Sequence, residues 1–243
     1  MKLKLAVIGD PIAHSKSPEL QRGFLAEYGL EGTYEAIEVP AGTAAARIDE
    51  LRSAGYHGLN VTTPLKEEAY ARAEERDAAA GASGAANTLV LGAQVGAYNT
   101  DGLGARGALA AAGLRAVSGR RVLILGTGPT ARAAAVALLQ AAAGVLLWNR
   151  TPERAASIAR AVGGLPWTTG ARVDAVFSTL PPHARPADEA VLATVQAAPL
   201  VIDANYGARA TLGALLGRSD VHDGSAMLLA GARASFEIFR ALA

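Results

Sequence analysis

Two charged residues, Lys66 and Asp101, stand in segments that suit proton transfer. Lys66 follows the apolar segment 58–62 and falls in the first turn of a helix predicted from Pro64. The positive end of a helix disfavours a cation, so the neutral amine is favoured there and can accept a proton. It is one of only four lysines among 23 basic residues, and the rest are arginines. A surface charge in this chain would usually be an arginine, so a lysine here indicates that a titratable amine is required. Asp101 would orient that amine; the alternatives are a solvated lysine and an aspartate that caps the next helix.

Hydroxyl side chains occupy the segments around this pair. Ser15 and Ser17 are two residues apart, so an extended chain would point both to the same side. Thr62 ends the strand that precedes Lys66. An apolar core does not need hydroxyls at these positions. For Ser17 the alternative is a helix N-cap, because the Pro18 that follows suits the first helical position.

A glycine-rich loop predicts dinucleotide binding. Its sequence is Gly126-Thr127-Gly128-Pro129-Thr130-Ala131, which fits the pattern G-x-G-x-x-A. The loop follows an apolar strand at 122–125 and precedes an alanine-rich helix. Glycines there allow a tight turn and let a pyrophosphate approach the helix N-terminus closely. The alternative is an ordinary β–α turn that uses glycine for its geometry.

The end of the next strand favours NADP over NAD. An NAD site places Asp or Glu there to accept a hydrogen bond from the ribose 2′-hydroxyl. This chain has Asn149-Arg150-Thr151 instead, with Arg154 four residues after the arginine. A guanidinium flanked by amide and hydroxyl groups suits a 2′-phosphate. Thr151 followed by Pro152 also fits a helix start, and both roles can hold together.

The order of apolar runs predicts an α/β protein with two halves. Strands that alternate with helices of this length are typical of parallel sheets. In the first half the predicted strands are 3–9, 34–39 and 58–62, the helices are 18–29, 41–54 and one from 64, and a hairpin joins 87–90 to 94–98. In the second half the predicted strands are 122–125, 145–148, 173–178 and 200–203, and the helices are 130–143 and 152–162. The predicted junction is 112–119, and 225–243 has a helical pattern.

Composition excludes several classes of function. The chain has 243 residues, of which 56 are alanine, so its 51% hydrophobic content overstates the number of large apolar side chains. Its longest apolar stretch is shorter than the roughly 20 residues of a membrane span. A net charge of +1 without basic clusters argues against nucleic acid and membrane partners. The absence of cysteine excludes thiolate sites, and no metal-ligand spacing is present. A soluble, cytoplasmic protein without a signal peptide is expected.

A series of motifs resembles the signatures of shikimate dehydrogenases along nearly the whole chain. They are Gly9-x-Pro11-Ile12-x-His14-Ser15-x-Ser17-Pro18, Asn60-Val61-Thr62-x-Pro64-x-Lys66, Gly84-Ala85-Ala86-Asn87-Thr88, Asn99-Thr100-Asp101-Gly102, Gly126-x-Gly128, Asn149-Arg150-Thr151 and Gly224-x-x-Met227-Leu228. Several ordered motifs together are far more specific than any one of them.

The resemblance implies a fold, an activity and a set of site residues. It implies an N-terminal α/β substrate-binding domain (1–112), a C-terminal Rossmann NADP-binding domain (113–224) and a final helix (225–243) that returns to the first domain. The implied reaction is the reversible NADPH-dependent reduction of 3-dehydroshikimate to shikimate in aromatic amino acid biosynthesis, by a monomer or homodimer without a metal. Lys66, paired with Asp101, would handle the proton on the C3 oxygen. The implied substrate contacts are Ser15, Ser17, Thr62, Asn87, Asp101 and Tyr206. The implied cofactor contacts are Gly126, Thr127, Gly128, Pro129, Thr130, Ala131, Asn149, Arg150, Thr151, Arg154, Ser178, Gly224 and Met227.

Three segments depart from the pattern of the family. Gln21-Arg22 stand where His-Asn is usual, and Gly231 stands where a substrate-contacting glutamine is usual. Ser178-Thr179-Leu180 replaces the usual Asn-Ala-Thr. These departures leave two alternatives open: a paralogue that acts on quinate or a related cyclic polyol acid, and a non-catalytic NADP-binding sensor.

Overall fold

Short apolar runs form two separate β-sheets in the computed structural model, which describes residues 2–243. One unit holds the chain up to Thr100 together with Gly231–Ala243, and the other holds Asp101–Ala230. The predicted α/β fold with two domains is confirmed. Along residues 2–243 no helix combines the length and apolar character that a membrane span requires.

The first unit is built on a mixed sheet of six strands. Its elements are β1 (Leu3–Gly9), α1 (Ser17–Glu27), β2 (Gly32–Glu38), α2 (Ala44–Ser53), β3 (Gly58–Val61), α3 (Lys66–Arg72), β4 (Glu75–Arg76), α4 (Ala78–Ser83), β5 (Thr88–Leu91) and β6 (Val95–Tyr98). The strand order is β2-β1-β3-β5-β6-β4. Strand β1 pairs in parallel with β2 and β3, whereas the hairpin β5–β6 makes the sheet mixed because β5 runs antiparallel to β3.

Apolar side chains cover both faces of this first sheet. Helices α2, α3 and α4 bury one face, and α1 covers the other together with the C-terminal helix α10 (Ser225–Arg240). Phe239 of α10 lies so close to the sheet that a Cβ on Gly58 would be 2.5 Å from its ring. Glycine at position 58 therefore allows the end of α10 to dock on the strands.

The second unit is built on five parallel strands. Its elements are α5 (Asp101–Ala111), β7 (Arg121–Leu125), α6 (Pro129–Gln140), β8 (Gly144–Trp148), α7 (Pro152–Val162), β9 (Leu165–Pro166), β10 (Ala175–Ser178), α8 (Glu189–Ala197), β11 (Val201–Asp203), a 3-10 turn (Gly207–Arg209) and α9 (Leu212–Leu216). The strand order is β11-β10-β7-β8-β9. Helices α5 to α7 bury one face, and α8 and α9 bury the other. The strand order thus reverses between β7 and β10, and such a switch point leaves a crevice at the carboxyl ends of the strands.

The division between the units differs from the predicted junction at 112–119. It follows Thr100, so α5 belongs to the second unit. The reason is close helix packing, since a Cβ on Gly102 would lie 2.6 Å from the Cβ of Ala137 on α6. A second division lies inside α10, where only the residues from Gly231 onward join the first unit. The returning segment is therefore shorter than the expected 225–243.

Several element bounds differ from those predicted. Helix α6 ends at Gln140 rather than near residue 143, because Ala142 takes a left-handed backbone conformation with φ of 59°. The strands β4 and β9 have two residues each and carry no periodic signal. Helix α8 is absent from the predicted elements, although the sequence carries a signal for it. Asp188 caps the helix through its side chain, and an apolar periodic run that includes Val191 follows.

Candidate active site

In the first unit, the carboxyl ends of β1 and β3 lie against each other. The Thr62 N–H donates to the Ile8 carbonyl at 2.9 Å, and the Asp10 N–H donates to the Thr63 carbonyl at 3.2 Å. A Cβ on Gly9 would collide with the Thr62 methyl group. The glycine that opens the first motif thus allows the loop that carries Ser15 to leave β1 beside Thr62.

The two serines of this loop make different contacts. The Ser17 N–H donates to Ser15 Oγ at 3.3 Å. Ser17 is the first residue of α1, the N-cap is Lys16, and that cap makes no side-chain hydrogen bond. The N-cap alternative for Ser17 is therefore wrong.

A partly buried network of hydroxyls and carboxamides extends from Tyr34 across the sheet, and we call it the hydroxyl–amide network. Its members are Tyr34, Asn60, Thr88, Asn87 and Thr100. The Tyr34 hydroxyl donates to Asn60 Oδ1 at 2.7 Å. Asn60 Nδ2 lies 3.3 Å from Thr88 Oγ1, and the Thr88 hydroxyl donates to Asn87 Oδ1 at 3.0 Å. Asn87 Oδ1 also accepts from the Thr100 N–H at 2.9 Å. These bonds fix the Asn87 carboxamide, which is one of the predicted substrate contacts.

Lys66 begins helix α3 next to this network. Its carbonyl accepts a hydrogen bond from the Ala86 N–H at 2.9 Å, so the start of α3 lies beside the residue that precedes Asn87. The side chain is 9% exposed. The first unit thus brings Lys66 and Asn87 close together in space although 20 residues separate them in sequence.

The departures at Gln21 and Arg22 have structural roles in the first unit. Gln21 is fully buried, and its Nε2 donates to the Ala232 carbonyl at 2.9 Å and to Ser235 Oγ at 3.1 Å, both on α10. Arg22 donates to the Tyr34 carbonyl at 3.3 Å. Gln21 therefore ties α1 to the returning end of α10.

In the second unit, the glycine-rich loop lies at the switch point of the parallel sheet. Gly126 has a φ of +106°, which only glycine adopts readily, and a Cβ there would collide with Thr179 Oγ1 at the end of β10. Gly128 has an ordinary φ of −74°, and a Cβ there would meet nothing within 4 Å. Neither strain nor internal packing requires glycine at 128, so its missing side chain leaves room for a ligand.

The helix that follows the loop presents a free N-terminus. Helix α6 has Pro129 in its first turn and makes no side-chain cap hydrogen bond. Asn149, at the end of β8, hydrogen-bonds Thr127 Oγ1 across the loop. Backbone N–H groups at an uncapped helix N-terminus form a ready site for phosphate oxygens.

Two arginines after β8 are exposed, Arg150 directly after the strand and Arg154 in the first turn of α7. Across residues 2–243, neither the Arg150 nor the Arg154 side chain makes a hydrogen bond or ion pair. Thr151 is the N-cap of α7, but its hydroxyl forms no cap hydrogen bond. This edge therefore presents two cations and a hydroxyl, and no carboxylate follows β8 until Glu153.

Asp101 belongs to the second unit and contacts the same loop region. It begins α5, is 8% exposed, and its Oδ2 accepts a hydrogen bond from Thr130 Oγ1 at 3.1 Å. Thr130 was predicted as a cofactor contact only. The bond spans 29 residues of sequence, so no local pattern indicates it.

A carboxylate organises the loop that carries Tyr206. Asp203 ends β11 and is 2% exposed. It accepts hydrogen bonds from the Asn205 N–H at 3.0 Å and from the Leu212 N–H at 3.1 Å. A Cβ on Gly224 would collide with the Ala204 carbonyl of this loop. Glycine at 224 therefore lets the segment before α10 lie against the loop.

Two predicted cofactor residues lie inside the second unit. Ser178 is buried, and its Oγ accepts a hydrogen bond from the Leu180 N–H at 3.4 Å within the local turn. Met227 packs in the core between the sheet and helices α5 to α7. Thr179, next to Ser178, faces the glycine loop. The predicted cofactor contacts include Ser178 but not Thr179.

Two family models match most of the chain. The shikimate dehydrogenase substrate binding domain matches residues 7–89, and shikimate / quinate 5-dehydrogenase matches residues 108–206. The solved shikimate 5-dehydrogenase of Thermus thermophilus, in complex with NADP(H) and shikimate, has a TM-score of 0.84 and 31% identity. That comparison covers 98% of this chain and 94% of the other.

The chain belongs to the shikimate dehydrogenase family. The shikimate dehydrogenase of Mycobacterium tuberculosis is also similar, with a TM-score of 0.79, 31% identity, and coverage of 98% of this chain and 94% of that one. The curated shikimate dehydrogenase (NADP(+)) of Acidiphilium cryptum is 42% identical over 164 residues. That match covers 66% of this chain and 59% of the relative's length.

The predicted site residues are divided between the two units. Ser15, Ser17, Thr62, Lys66 and Asn87 belong to the first unit. The second unit contains Asp101, the glycine-rich loop, Tyr206 and the residues after β8. Sequence reasoning missed Tyr34, Thr100, Thr179 and Asp203. Only Asp203 carried a signal, as a carboxylate at the carboxyl end of a predicted strand.

Proposed function

We propose that this protein is an NADP-dependent shikimate dehydrogenase that interconverts 3-dehydroshikimate and shikimate. The observation that carries the proposal is the pairing of a switch-point glycine loop with two cations, Arg150 and Arg154, that have no acidic partner in the part of the chain described. The relative from Thermus thermophilus was solved with NADP(H) and shikimate, which supports the same ligands here.

The residues of the second unit fit NADP. The open side of Gly128 and the uncapped start of α6 suit a pyrophosphate, because backbone N–H groups can approach it closely. Arg150 is positioned after β8, where the ribose of a bound dinucleotide is recognised. Its guanidinium would pair with the 2′-phosphate, with Thr151 and Arg154 beside it.

Proton transfer is assigned to Lys66. NADPH, held by the glycine-rich loop and Arg150, would supply the hydride for the C3 carbon of 3-dehydroshikimate, and NADP would accept it from shikimate in the reverse direction. In the direction of reduction the Lys66 ammonium donates its proton to the C3 oxygen, and in the reverse direction the amine takes that proton back. Asp101 orients the amine and stabilises its charged form.

Substrate binding is assigned to polar groups of the first unit and to Tyr206. Ser15, Ser17, Thr62 and Asn87 supply hydroxyls and a carboxamide that can bind the ring hydroxyls and carboxylate. The hydrogen bonds of Asn87 to Thr88 and Thr100 hold its carboxamide in one orientation before the substrate arrives. Such preorganisation lowers the cost of binding.

A steady-state assay tests the proposal directly. Formation of NADPH by the purified protein is followed with shikimate, quinate and aminoshikimate, and each substrate is repeated with NAD. We expect the highest kcat/KM for shikimate with NADP. A higher kcat/KM for quinate would replace the substrate assignment. NADP binding by calorimetry without turnover of any substrate would identify a sensor instead of an enzyme.

A further inference from the structure

Asn205 lies where three segments of the second unit meet. It follows Asp203, the last residue of β11, and its Nδ2 donates to Asp203 Oδ1 at 2.7 Å. The same nitrogen donates to the Leu180 carbonyl, in the loop after β10, at 2.9 Å. The Asn205 carbonyl accepts a hydrogen bond from the Gly224 N–H, just before α10, at 2.8 Å. The predicted site residues do not include Asn205.

The partners of the Asn205 carboxamide fix its orientation. Its nitrogen carries two N–H donors, and one is directed to the Asp203 carboxylate and the other to the Leu180 carbonyl. A half-turn of the amide would instead place its oxygen against these two oxygens. Asp203 is 2% exposed, so the bond to its carboxylate is charge-assisted and shielded from water. The donor to Leu180 is therefore held in place from behind by Asp203.

The loop after β10 is held on two sides. On one side, Asn205 donates to the Leu180 carbonyl. On the other side, the N–H and the hydroxyl of Thr179 each donate to the Leu125 carbonyl at 2.9 Å. Leu125 is the last residue of β7 and directly precedes Gly126. Asn205 thus supports the loop that lies against the glycine-rich loop.

This loop borders one half of a dinucleotide crevice. In a doubly wound sheet the pyrophosphate lies at the helix after the first strand, and the adenosine ribose is recognised after the second. Strands β7 and β8 carry these two features here, and the strand order reverses between β7 and β10. The remaining half of the dinucleotide, which contains the nicotinamide, therefore extends to the β10 side.

We propose that Asn205 is a positioning residue for the nicotinamide half of NADP, which holds the loop after β10 in place beside the glycine-rich loop. This inference rests on the proposed function, because it takes NADP as the cofactor. Asn205 acts through Leu180 and through Gly224. Its main-chain bond to Gly224 persists with any side chain, so a substitution at 205 tests the bonds to Asp203 and Leu180.

The test compares two ligands of Asn205→Ala by titration. NADP contains both halves of the dinucleotide, whereas adenosine 2′,5′-bisphosphate lacks the nicotinamide half. We expect the Kd for NADP to rise about tenfold, which corresponds to about 1.4 kcal/mol. The Kd for adenosine 2′,5′-bisphosphate should stay within about twofold, because the residues after β7 and β8 are unchanged. The kcat for shikimate should fall about tenfold or more, since hydride transfer requires a closely fixed nicotinamide.

Gln196→Ala is the matched control. Gln196 also uses a carboxamide nitrogen to bind a main-chain carbonyl of the second unit, that of Leu216, at 2.8 Å. Its bond joins α8 to α9 instead of supporting the loop after β10. We expect both Kd values and kcat to match wild type in this variant. Equal rises in both Kd values for Asn205→Ala would indicate general destabilisation of the second unit and would overturn the inference.

Asn205→Leu separates hydrogen bonding from packing. Leucine has a volume close to that of asparagine but no donor, so we expect the same selective loss of NADP affinity as with alanine. A leucine variant with wild-type Kd and kcat would show that the volume of the side chain matters and its hydrogen bonds do not. That result would also overturn the inference.

The binding readout distinguishes this inference from the proposed reaction. A wild-type protein that turns over shikimate, with normal NADP binding in both Asn205 variants, would overturn the inference alone. A wild-type protein that binds NADP without turnover, with a selective loss of NADP affinity in both variants, would overturn the proposed reaction and support the inference.

Discussion

The Thr130 hydroxyl donates a hydrogen bond to the Asp101 carboxylate at 3.1 Å. This bond links the first turn of α6, directly after the glycine-rich loop, to the first residue of α5. The carboxylate proposed to orient Lys66 therefore accepts a hydrogen bond from the residue that follows the loop and its proline.

Thr130→Val should separate the two roles open to this hydroxyl. If it mainly orients Asp101, kcat for shikimate should fall about tenfold, since a hydrogen bond to a charged group contributes about 1.5–3 kcal/mol. The Kd for NADP should stay within about twofold. Thr194→Val is the control, because that hydroxyl donates to the Ala190 carbonyl within α8, at 3.0 Å. An unchanged kcat with weaker NADP binding would assign the hydroxyl to the phosphates.

Arg150→Ala should weaken NADP binding much more than NAD binding. Loss of one charge-assisted hydrogen bond to the 2′-phosphate predicts an increase in Kd of about 10- to 100-fold for NADP. NAD has no such phosphate, so its Kd should hardly change. Arg160→Ala, an exposed arginine near the end of α7, controls for the change in net charge. Equal losses for both cofactors would show that Arg150 has a structural role.

Gly128→Ala should lower cofactor affinity without harming the fold. A Cβ there meets nothing within 4 Å and φ is −74°, so the Tm should stay equal or rise slightly. The Cβ would fill space that the pyrophosphate needs, so the Kd for NADP should rise about tenfold or more. Gly23→Ala in α1 is the control: it also meets nothing within 4 Å and should raise the Tm while leaving NADP binding unchanged. Normal NADP binding by Gly128→Ala would place the phosphates elsewhere.

Gly231→Gln tests the departure in α10. The substitution restores the glutamine usual in the family, and it replaces a glycine inside a helix at a gain of up to about 1 kcal/mol in stability. We expect a higher Tm and a lower KM for shikimate, with little change in the Kd for NADP. The Gly231 carbonyl accepts a hydrogen bond from Thr100 Oγ1 at 3.1 Å, and this backbone bond is compatible with any side chain. A lower Tm with a raised KM would show that the pocket has repacked for another substrate.

The sequence could predict what depends on local pattern. Strand β7, the glycine loop and α6 follow each other directly, so periodicity and glycine spacing suffice to identify them. The contact between Gly126 and Thr179 depends on how β7 and β10 pair, which no local pattern contains. The hydrogen bond between Thr130 and Asp101 likewise depends on how helices α5 and α6 pack. Tyr34 is indistinguishable in sequence from any tyrosine on a strand, and only the three-dimensional structure shows what its hydroxyl binds.

The boundary between the units illustrates the same limit. Gly113 and Gly119 both have positive φ, as residues of a linker often do, and they suggested a junction there. Because α5 packs closely on α6 at Gly102, α5 belongs to the second unit and the boundary lies before it. The glycines at 113 and 119 do form turns, but tertiary packing and not these turns sets the boundary between the units.

The most direct test of the account is the turnover of shikimate by wild type and by Lys66→Ala under identical conditions. Both proteins are assayed for NADPH formation at saturating NADP, and the Kd for NADP is measured on each by titration. We expect the wild-type protein to turn over shikimate and the variant to lose about 10²–10⁴-fold in kcat, the usual contribution of general acid–base catalysis. The Kd for NADP should be unchanged, because Lys66 belongs to the first unit. A variant that keeps more than about a tenth of the wild-type kcat would contradict the role of Lys66.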